Sequence, residues 1–347
     1  MKHVIVMGPR PDSAGGIGVM MGHLSRSRSD KTQVHFVESG GAPGARLGRL
    51  AAFGKALLTC WGPVPEDSAF HVNISTRGST WRKLILTGAL RVRRRPYILH
   101  LHGGRYREFY RDLPAPLASA VRSMFRNAGG VVVLGSVWKA FVTEVMGVTA
   151  EKVHVIANAV PGPAEVPGDR AEPVVLFTGK VTRAKGVIEL LKAWKSLPDN
   201  IRTRLVLAGD LHDPDGEISR LLKDAPAVTT TGWLSGTELD EQLSAASILV
   251  LPSHAENLPL SLLDGMAWGL APVATDVGSV AEVVLDGETG WIVPVNDAET
   301  LAHVLESLLL DPTKREALAH AARDRWEEFY DIAQYRDRLD EVYEQVT

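Results

Sequence analysis

Two carboxylates, Glu256 and Asp264, stand with seven residues between them in the segment 252–275. Glu256 follows an apolar run that predicts a strand, and the helix that carries Asp264 is expected to begin near Pro259 and to end at Gly269. A helix N-terminus favours anions, and carboxylates accept hydrogen bonds from hydroxyl groups. The pattern therefore suits a ligand with hydroxyls at both ends and phosphates in the middle.

Two lysines, Lys180 and Lys185, flank a turn that follows the apolar run Val174–Phe177. Cations at the carboxyl end of a strand can neutralise a departing diphosphate, and Arg183 is a third candidate for that role. A lysine presents a point charge and not a bidentate fork, so it fixes the geometry of a phosphate less strictly than an arginine does. The alternative is a solvated loop that binds nothing.

A histidine, His102, lies just past the predicted strand Ile98–Leu101, and the ligand sites of parallel sheets occur at such strand ends. We expect His100 on the opposite face of the strand, as a packed or hydrogen-bonded core residue. Arg105 follows two glycines and is a candidate for contact with a second substrate.

Three glycines, Gly15, Gly16 and Gly18, follow the first predicted strand, Val4–Met7, after a short loop. Glycine lets backbone N–H groups approach a phosphate without obstruction by a side chain. The spacing does not fit the Gly-x-Gly-x-x-Gly fingerprint of dinucleotide-binding folds. A purely structural turn is the alternative.

Taken in order along the chain, these segments resemble the retaining glycosyltransferases of family four, which have the two-domain GT-B fold. The resemblance rests on the segment around Glu256 and on four further stretches: Gly15–Gly18, His100–Gly104, Leu176–Val187 and Asp286–Val293. The family usually has Glu where this chain has Asp264, whose side chain is one methylene shorter.

The resemblance implies a role for each matching residue. It makes His102 and Glu256 the catalytic pair, with Glu256 holding the transferred sugar, and it makes Arg105 a candidate acceptor contact. The donor is implied to be a nucleotide-sugar linked to UDP or GDP, with Asp264 at the ribose. The donor-binding positions are Gly16, Gly18, Lys180, Lys185, Asn257, Leu258 and Asp264.

No cofactor and no metal are expected. The stretch Asp213-Pro-Asp215 looks like the metal motif of a different glycosyltransferase fold, but its proline and the nearby glycine favour a surface turn. The reaction implied by the resemblance is transfer of a hexose with retention of anomeric configuration, in which the leaving phosphate helps to deprotonate the acceptor. The acceptor is implied to be a glycan or lipid-linked glycan in surface polysaccharide assembly.

Short apolar runs separated by helical patterns predict two doubly wound α/β sheets, as in two Rossmann-like domains facing across a cleft. The predicted strands are Val4–Met7, Val34–Val37, Phe70–Ile74, Ile98–Leu101, Val131–Leu134, Val153–Ile156, Val174–Phe177, Leu205–Ala208, Val228–Thr231, Ile248–Leu251, Pro272–Ala274 and Trp291–Val293. We expect an N-terminal acceptor-binding domain (1–160), a proline-rich linker (161–173), a C-terminal donor-binding domain (174–325) and a final helical segment (326–347) that returns to the first domain.

The 347 residues contain one cysteine, Cys60, which excludes an internal disulfide. That composition fits a reducing compartment, and we expect a cytoplasmic protein. The first apolar run is too short for a signal peptide, and no run approaches the length of a transmembrane helix.

The charge is divided unevenly along the chain. Residues 1–160 carry 22 Lys and Arg against 9 Asp and Glu, a net charge of +13, whereas residues 161–347 have a net charge of −16. Two basic amphipathic stretches, 46–61 and 81–95, predict contact with an anionic membrane surface at the inner face. The alternative is that both helices simply pack on the sheet. Nucleic acid is not an expected partner, because no basic motif with interleaved aromatics occurs.

Two other functions remain open on the sequence. An NAD-dependent oxidoreductase is also doubly wound, and Glu38 could be its ribose acid, but the glycine fingerprint is broken. A non-catalytic nucleotide-sugar-binding protein of the same fold is the other candidate, because Asp264 replaces the usual Glu. Stabilisation by NAD alone, or binding of a donor without its hydrolysis, would favour one or the other.

Overall fold

The computed structural model of the chain describes residues 2–11, 13, 15–40, 46–168, 170 and 172–346. It contains two parallel sheets of six strands each. The first sheet comprises β1 (Lys2–Gly8), β2 (Thr32–Glu38), β3 (Ser68–Ile74), β4 (Tyr97–Leu101), β5 (Gly130–Val133) and β6 (Val153–Val155). The second comprises β7 (Val174–Thr178), β8 (Arg204–Ala208), β9 (Val228–Gly232), β10 (Ile248–Leu251), β11 (Ala271–Thr275) and β12 (Trp291–Val293). The predicted α/β class and the predicted strands are confirmed.

Helices connect the strands of each sheet, and the final three helices follow the last strand. They are α1 (Gly16–Arg26), α2 (Arg46–Trp61), α3 (Gly78–Val92), α4 (Tyr106–Arg111), α5 (Ala115–Arg126), α6 (Ser136–Ala140), α7 (Val187–Ser196), α8 (Glu217–Lys223), α9 (Thr237–Ala245), α10 (Leu260–Ala267), α11 (Val280–Val283), α12 (Ala298–Leu310), α13 (Pro312–Phe329) and α14 (Ile332–Val346). Their ends follow local rules. Asp311, for example, accepts a hydrogen bond from the Lys314 amide at 3.0 Å, and Pro312 then opens α13 at a position where no N–H is needed.

The order of strands in each sheet defines one point at which doubly wound sheets bind ligands. The first sheet runs β2-β1-β3-β4-β5-β6, and the second runs β12-β11-β10-β7-β8-β9. The order reverses between β1 and β3 in the first sheet and between β7 and β10 in the second. Ligands of open parallel sheets bind beyond the carboxyl ends of the strands at such points.

The chain divides into two compact units. One consists of Met1–Ala159 together with Ile332–Thr347, and the other of Val160–Asp331. The described residues of the proline-rich stretch 161–173 form neither helix nor strand and pack on the second unit. Arg170 there donates hydrogen bonds to the backbone oxygens of Ser244, Trp268 and Gly269.

The last helix, α14, packs on the first unit through buried polar groups. Asp340 is fully buried and accepts hydrogen bonds from the hydroxyls of Ser29 and Thr32, each at 2.5 Å. Its other partner is the guanidinium of Arg336, at 3.1 Å. The Tyr343 hydroxyl, one turn further on, lies 2.6 Å from His71 Nδ1 in the first sheet. Within the described ranges, no helix combines the length and apolar composition needed to cross a bilayer.

Candidate active site

The second unit brings two of the predicted site residues into direct contact. Lys185 ends a short 3-10 turn after β7, and Glu256 lies in the loop after β10, so both follow the strands where the sheet order reverses. Their side chains form an ion pair between Nζ and Oε1, and each stays partly exposed, at 28% for Lys185 and 12% for Glu256. The pair is therefore accessible to a ligand at the point where this sheet type binds one.

The loops that carry this pair are held together by their backbones. Gly186 has a left-handed φ of 70°, and a Cβ there would lie 1.8 Å from the Pro252 carbonyl oxygen, so only glycine allows the approach. The His254 amide donates to the Ala184 carbonyl at 3.0 Å. The His254 ring also lies 3.3 Å from the Glu189 carboxylate on α7. These contacts fix Lys185 relative to Glu256.

The remaining donor-site candidates line the segment that leads into α10. Asn257 and Leu258 are buried just before the helix, and the Asn257 carbonyl accepts a hydrogen bond from the Ser279 amide at 2.8 Å. Asp264 is half-buried within α10. Burial, and to a lesser extent the neighbouring Asp240 carboxylate, raises the pKa of Asp264 to about 7. A carboxyl group with this pKa changes charge near neutral pH.

Lys180 and Arg183 differ in their surroundings. Lys180 is exposed directly after β7 and forms no ion pair with a described residue. Arg183, the third phosphate candidate, is instead held by two carboxylates, Asp215 at 2.8 Å and Glu217. Its side chain is already neutralised, so the expectation that it assists the lysines is not favoured by this geometry.

The Asp-Pro-Asp stretch is a capped turn. Asp213 accepts hydrogen bonds from the amides of Ile218 and Ser219 at the start of α8, at 3.2 and 2.8 Å. Asp215 pairs with Arg183. Across the part of the chain that the structure describes, no cluster of three or more His, Cys, Asp or Glu side chains could hold a metal ion.

In the first unit, His102 lies directly after β4 and is oriented by Asn73 on β3. Asn73 donates to the Met21 sulfur at 3.4 Å, so its oxygen accepts the proton on His102 Nε2, at 2.7 Å. Burial lowers the pKa of His102 to about 3, with a smaller contribution from His71. The imidazole is therefore neutral at physiological pH, and its Nδ1 can accept a hydrogen bond.

His100 belongs to a buried histidine chain that begins at α14. Tyr343 contacts His71, and His71 Nε2 lies 3.0 Å from His100 Nδ1. His100 is a hydrogen-bonded core residue, as predicted, but its expected position on the opposite face was wrong. The ring centroids of His100 and His102 are 4.0 Å apart, because residues two apart along a strand share a face.

The predicted glycine loop is the first turn of α1. Gly16 and Gly18 are both helical, and the N–H groups of a first turn have no partner within the helix. A Cβ on Gly18 would lie 2.1 Å from the Ser13 carbonyl oxygen, so packing alone requires glycine there. At Gly16 no atom of a described residue lies within 4 Å of the Cβ position, apart from the adjacent residues and the backbone of the helix itself. Arg105 is exposed at the start of α4.

Sequence reasoning missed Asn73, His71 and Tyr343. Asn73 and His71 lie inside an otherwise apolar strand, and polar residues in a run buried on both faces were the available signal. Tyr343 had no local signal, since its partner lies 272 residues away.

Comparison with known proteins agrees with this architecture. Residues 169–325 match the family described as glycosyl transferases group 1. Alpha-maltose-1-phosphate synthase of Mycolicibacterium smegmatis is 34% identical over 223 residues, which are 57% of this chain. The match spans 58% of the length of that relative.

Solved structures share the fold over almost the whole chain. Sucrose-phosphate synthase from Thermosynechococcus elongatus has a TM-score of 0.77 at 18% identity and covers 99% of both chains. HepE of Anabaena in complex with UDP-glucose has a TM-score of 0.76 at 18% identity, over 98% of this chain and 99% of that one. The two-sheet fold is that of the GT-B class. Residues 169–325 form a domain of the group 1 glycosyl transferases, which confirms the predicted family for the second unit.

Proposed function

We propose that the protein is a retaining glycosyltransferase that moves a hexose from a UDP- or GDP-linked donor to a glycan or lipid-linked glycan acceptor, in surface polysaccharide assembly. The observation that carries the proposal is the accessible ion pair between Lys185 and Glu256 at the reversal point of the second sheet. Such a pair offers one group for a diphosphate and one for sugar hydroxyls.

The proposed chemistry follows from the ligand group that each charged side chain would bind. A bound diphosphate competes with Glu256 for Lys185, and Lys180 adds a second cation, so the charge that develops on the leaving phosphate is neutralised. Glu256 is then released to accept hydrogen bonds from the hydroxyls of the sugar. Neutral His102 would accept one further hydroxyl hydrogen bond at Nδ1, and the leaving phosphate helps to deprotonate the acceptor.

A nucleotide panel tests the proposal. We expect a UDP- or GDP-sugar to raise the Tm of the chain and to be slowly hydrolysed, since ligands that bind only the folded state stabilise it. Stabilisation by NAD with no effect of nucleotide-sugars would overturn the proposal in favour of an oxidoreductase. Tight donor binding with no hydrolysis and no transfer would instead indicate a non-catalytic binding protein.

The titration of Asp264 predicts a pH-dependent donor affinity. Its raised pKa means that the folded state keeps a proton that an unfolded aspartate has lost, so stability falls as pH rises from about 4 through about 7. The ionised carboxylate accepts hydrogen bonds from the ribose hydroxyls at both oxygens, and these charge-assisted bonds are stronger than those to the neutral acid. We therefore expect the affinity for the stabilising nucleotide-sugar to rise about tenfold between about pH 6 and about pH 8.

Two variants serve as controls for this titration. Asp264→Asn should bind the donor more weakly, with a flat pH profile. Asp264→Glu restores the side chain usual in the family and should keep both binding and a pH dependence. Calorimetric titration at each pH measures these affinities. If the affinity of Asp264→Asn changes with pH as much as that of the wild type, the assignment of Asp264 is excluded.

We also propose that α2 attaches the protein to an anionic membrane surface, at the inner face of a cytoplasmic membrane. Leu47, Leu50, Leu58 and Trp61 are exposed and recur along one stripe of the helix. The exposed cations Arg49 and Lys55 lie on the same helix, and the Arg93 guanidinium lies 5.9 Å from the centre of the Trp61 ring. Apolar and basic groups together are typical of helices that lie in a membrane interface.

Vesicle flotation tests this attachment. We expect binding to vesicles that contain phosphatidylglycerol, weaker binding at high salt, and little binding to neutral vesicles. Replacing Leu50 by Glu should reduce binding roughly tenfold or more, because burial of a leucine contributes about 1.5–3 kcal/mol. Leu310→Glu, at an exposed leucine of the second unit, is the matched control. Equal loss in both variants would contradict the role of α2.

A further inference from the structure

Three cations lie near the carboxyl edge of the first sheet, and we call them the α3 cation cluster: Arg82 and Lys83 on α3, and the exposed Arg49 on α2, whose charge lowers the pKa of Arg82. Lys83 is only 2% exposed, and its ammonium group donates to the Ser39 hydroxyl just after β2. The Arg82 guanidinium lies against the next residue, Gly40, where a Cβ would be 3.3 Å from Nη2. Both charged groups therefore flank the same short segment.

Among the residues that the structure describes, the α3 cation cluster has no counter-charge. No Asp or Glu of the described residues forms an ion pair with Arg49, Arg82 or Lys83, and the buried Nε of Arg82 has no hydrogen-bond acceptor among them. Burial, followed by the charge of Arg82, lowers the pKa of Lys83 to about 7, and the pKa of Arg82 is lowered by burial and by Arg49. Lys83 is buried and Arg82 is half-buried, and a desolvated positive charge without an anion is costly, so this part of the cluster favours an anion supplied from outside.

The cluster is connected to the candidate catalytic histidine through direct contacts. The Ser39 amide donates to the Gly8 carbonyl at 2.9 Å, at the end of β1. A Cβ on Gly8 would lie 3.0 Å from the Asn73 amide nitrogen, so these two residues pack together. Asn73 in turn holds His102. Gly8, Ser39, Asn73 and His102 lie at or just past the carboxyl ends of β1, β2, β3 and β4, around the point where the order of the first sheet reverses.

We propose that the α3 cation cluster binds a phosphate group carried by the acceptor, so that the acceptor is a phosphorylated glycan or glycolipid. The proposal rests on the proposed transferase function. The fork of the Arg82 guanidinium matches two oxygens of a phosphate, while Lys83 and Arg49 supply charge without needing direct contact. Three cations suit a dianion better than a monoanion, which favours a phosphate monoester over a carboxylate.

Titration with inorganic phosphate in the presence of saturating UDP tests the site, because UDP occupies the donor lysines. We expect phosphate to raise the Tm, and acetate at equal ionic strength to have no such effect. Arg82→Gln should weaken phosphate binding at least tenfold. Arg122→Gln, at an exposed arginine on α5, removes one charge elsewhere in the first unit and should bind phosphate as the wild type does. Equal phosphate binding in Arg82→Gln and the wild type would overturn the proposal.

Two further measurements distinguish failure of the transferase function from failure of the phosphate site, and a lipid-borne phosphate from a water-soluble one. If UDP fails to bind the wild type, the transferase function is contradicted, whereas loss of Arg82 dependence contradicts only the phosphate site. Glycerol phosphate and vesicles with phosphatidic acid then compete for the site. Displacement of phosphate by the vesicles in the wild type, but not in Arg82→Gln, supports a lipid-borne phosphate, and displacement by glycerol phosphate alone supports a water-soluble one. If neither glycerol phosphate nor the vesicles displace phosphate, the proposal is overturned.

Discussion

Replacing Glu256 by Gln is expected to lower turnover about ten- to hundredfold while leaving the fold intact. A hydrogen bond to a charged acceptor contributes about 1.5–3 kcal/mol, and the amide of glutamine has neither the charge nor the second acceptor oxygen. Folding should change little, because the partly exposed pair with Lys185 contributes little to stability. Donor hydrolysis and transfer rates, with circular dichroism as a test of folding, measure the effect.

The matched control for Glu256→Gln is Glu217→Gln. Glu217 also pairs with a cation after β7, Arg183, but it lies at the start of α8 and belongs to no part of the proposed donor site. Its replacement should leave turnover unchanged. If both variants keep wild-type turnover, Glu256 does not bind the transferred sugar, and the assignment of the second unit fails with it.

Replacing Asp340 by Ala is expected to destabilise the first unit by about 3–5 kcal/mol, the cost of leaving a buried charge without its partner. Asp340 is fully buried, and its loss leaves the guanidinium of Arg336 and the hydroxyls of Ser29 and Thr32 without their shared acceptor. The urea midpoint, together with hydrogen exchange of the α14 amides, measures the loss. The contact between Tyr343 and His71 should loosen at the same time.

Two variants separate the buried charge from the general effect of a mutation in α14. Glu341→Ala removes the neighbouring exposed carboxylate and should change stability by less than about 0.5 kcal/mol. The double variant Arg336→Met with Asp340→Leu removes both charges and should recover most of the lost stability. A urea midpoint for Asp340→Ala equal to that of Glu341→Ala would refute the role of this pair.

Local patterns along the chain predicted the strands well. Runs such as Val174–Phe177 and Ile248–Leu251 are buried on both faces, so they are apolar without interruption and are bounded by polar loops. Cations after β7 and acids after β10 were likewise found from position alone. These site residues could be located because each follows directly from the position at which its apolar strand ends, and that position is visible in the local sequence.

Predictions that depended on the partner of a side chain were less successful. Arg183 has the charge and position of a phosphate ligand, yet it is neutralised by Asp215 in the loop before α8 and by Glu217 at the start of that helix. His100 was placed on the wrong face, although the period of a strand should have put it beside His102.

The segment 81–95 was predicted to contact an anionic membrane surface, yet Lys83 within it is buried and Arg82 is half-buried. The burial of a helix side chain depends on what packs against it, which the sequence of the helix does not show.

The amino-acid sequence by itself determined the alternation of strands and helices, the family, and the residues that follow each strand, since all of these depend on local periodicity and spacing. Only the tertiary structure decided which side chains meet. The order of strands in each sheet brings Lys185 to Glu256, and the return of α14 brings Tyr343 to His71. These contacts arise from packing between segments that are distant in sequence, and a local sequence pattern does not indicate which distant segment will pack against it.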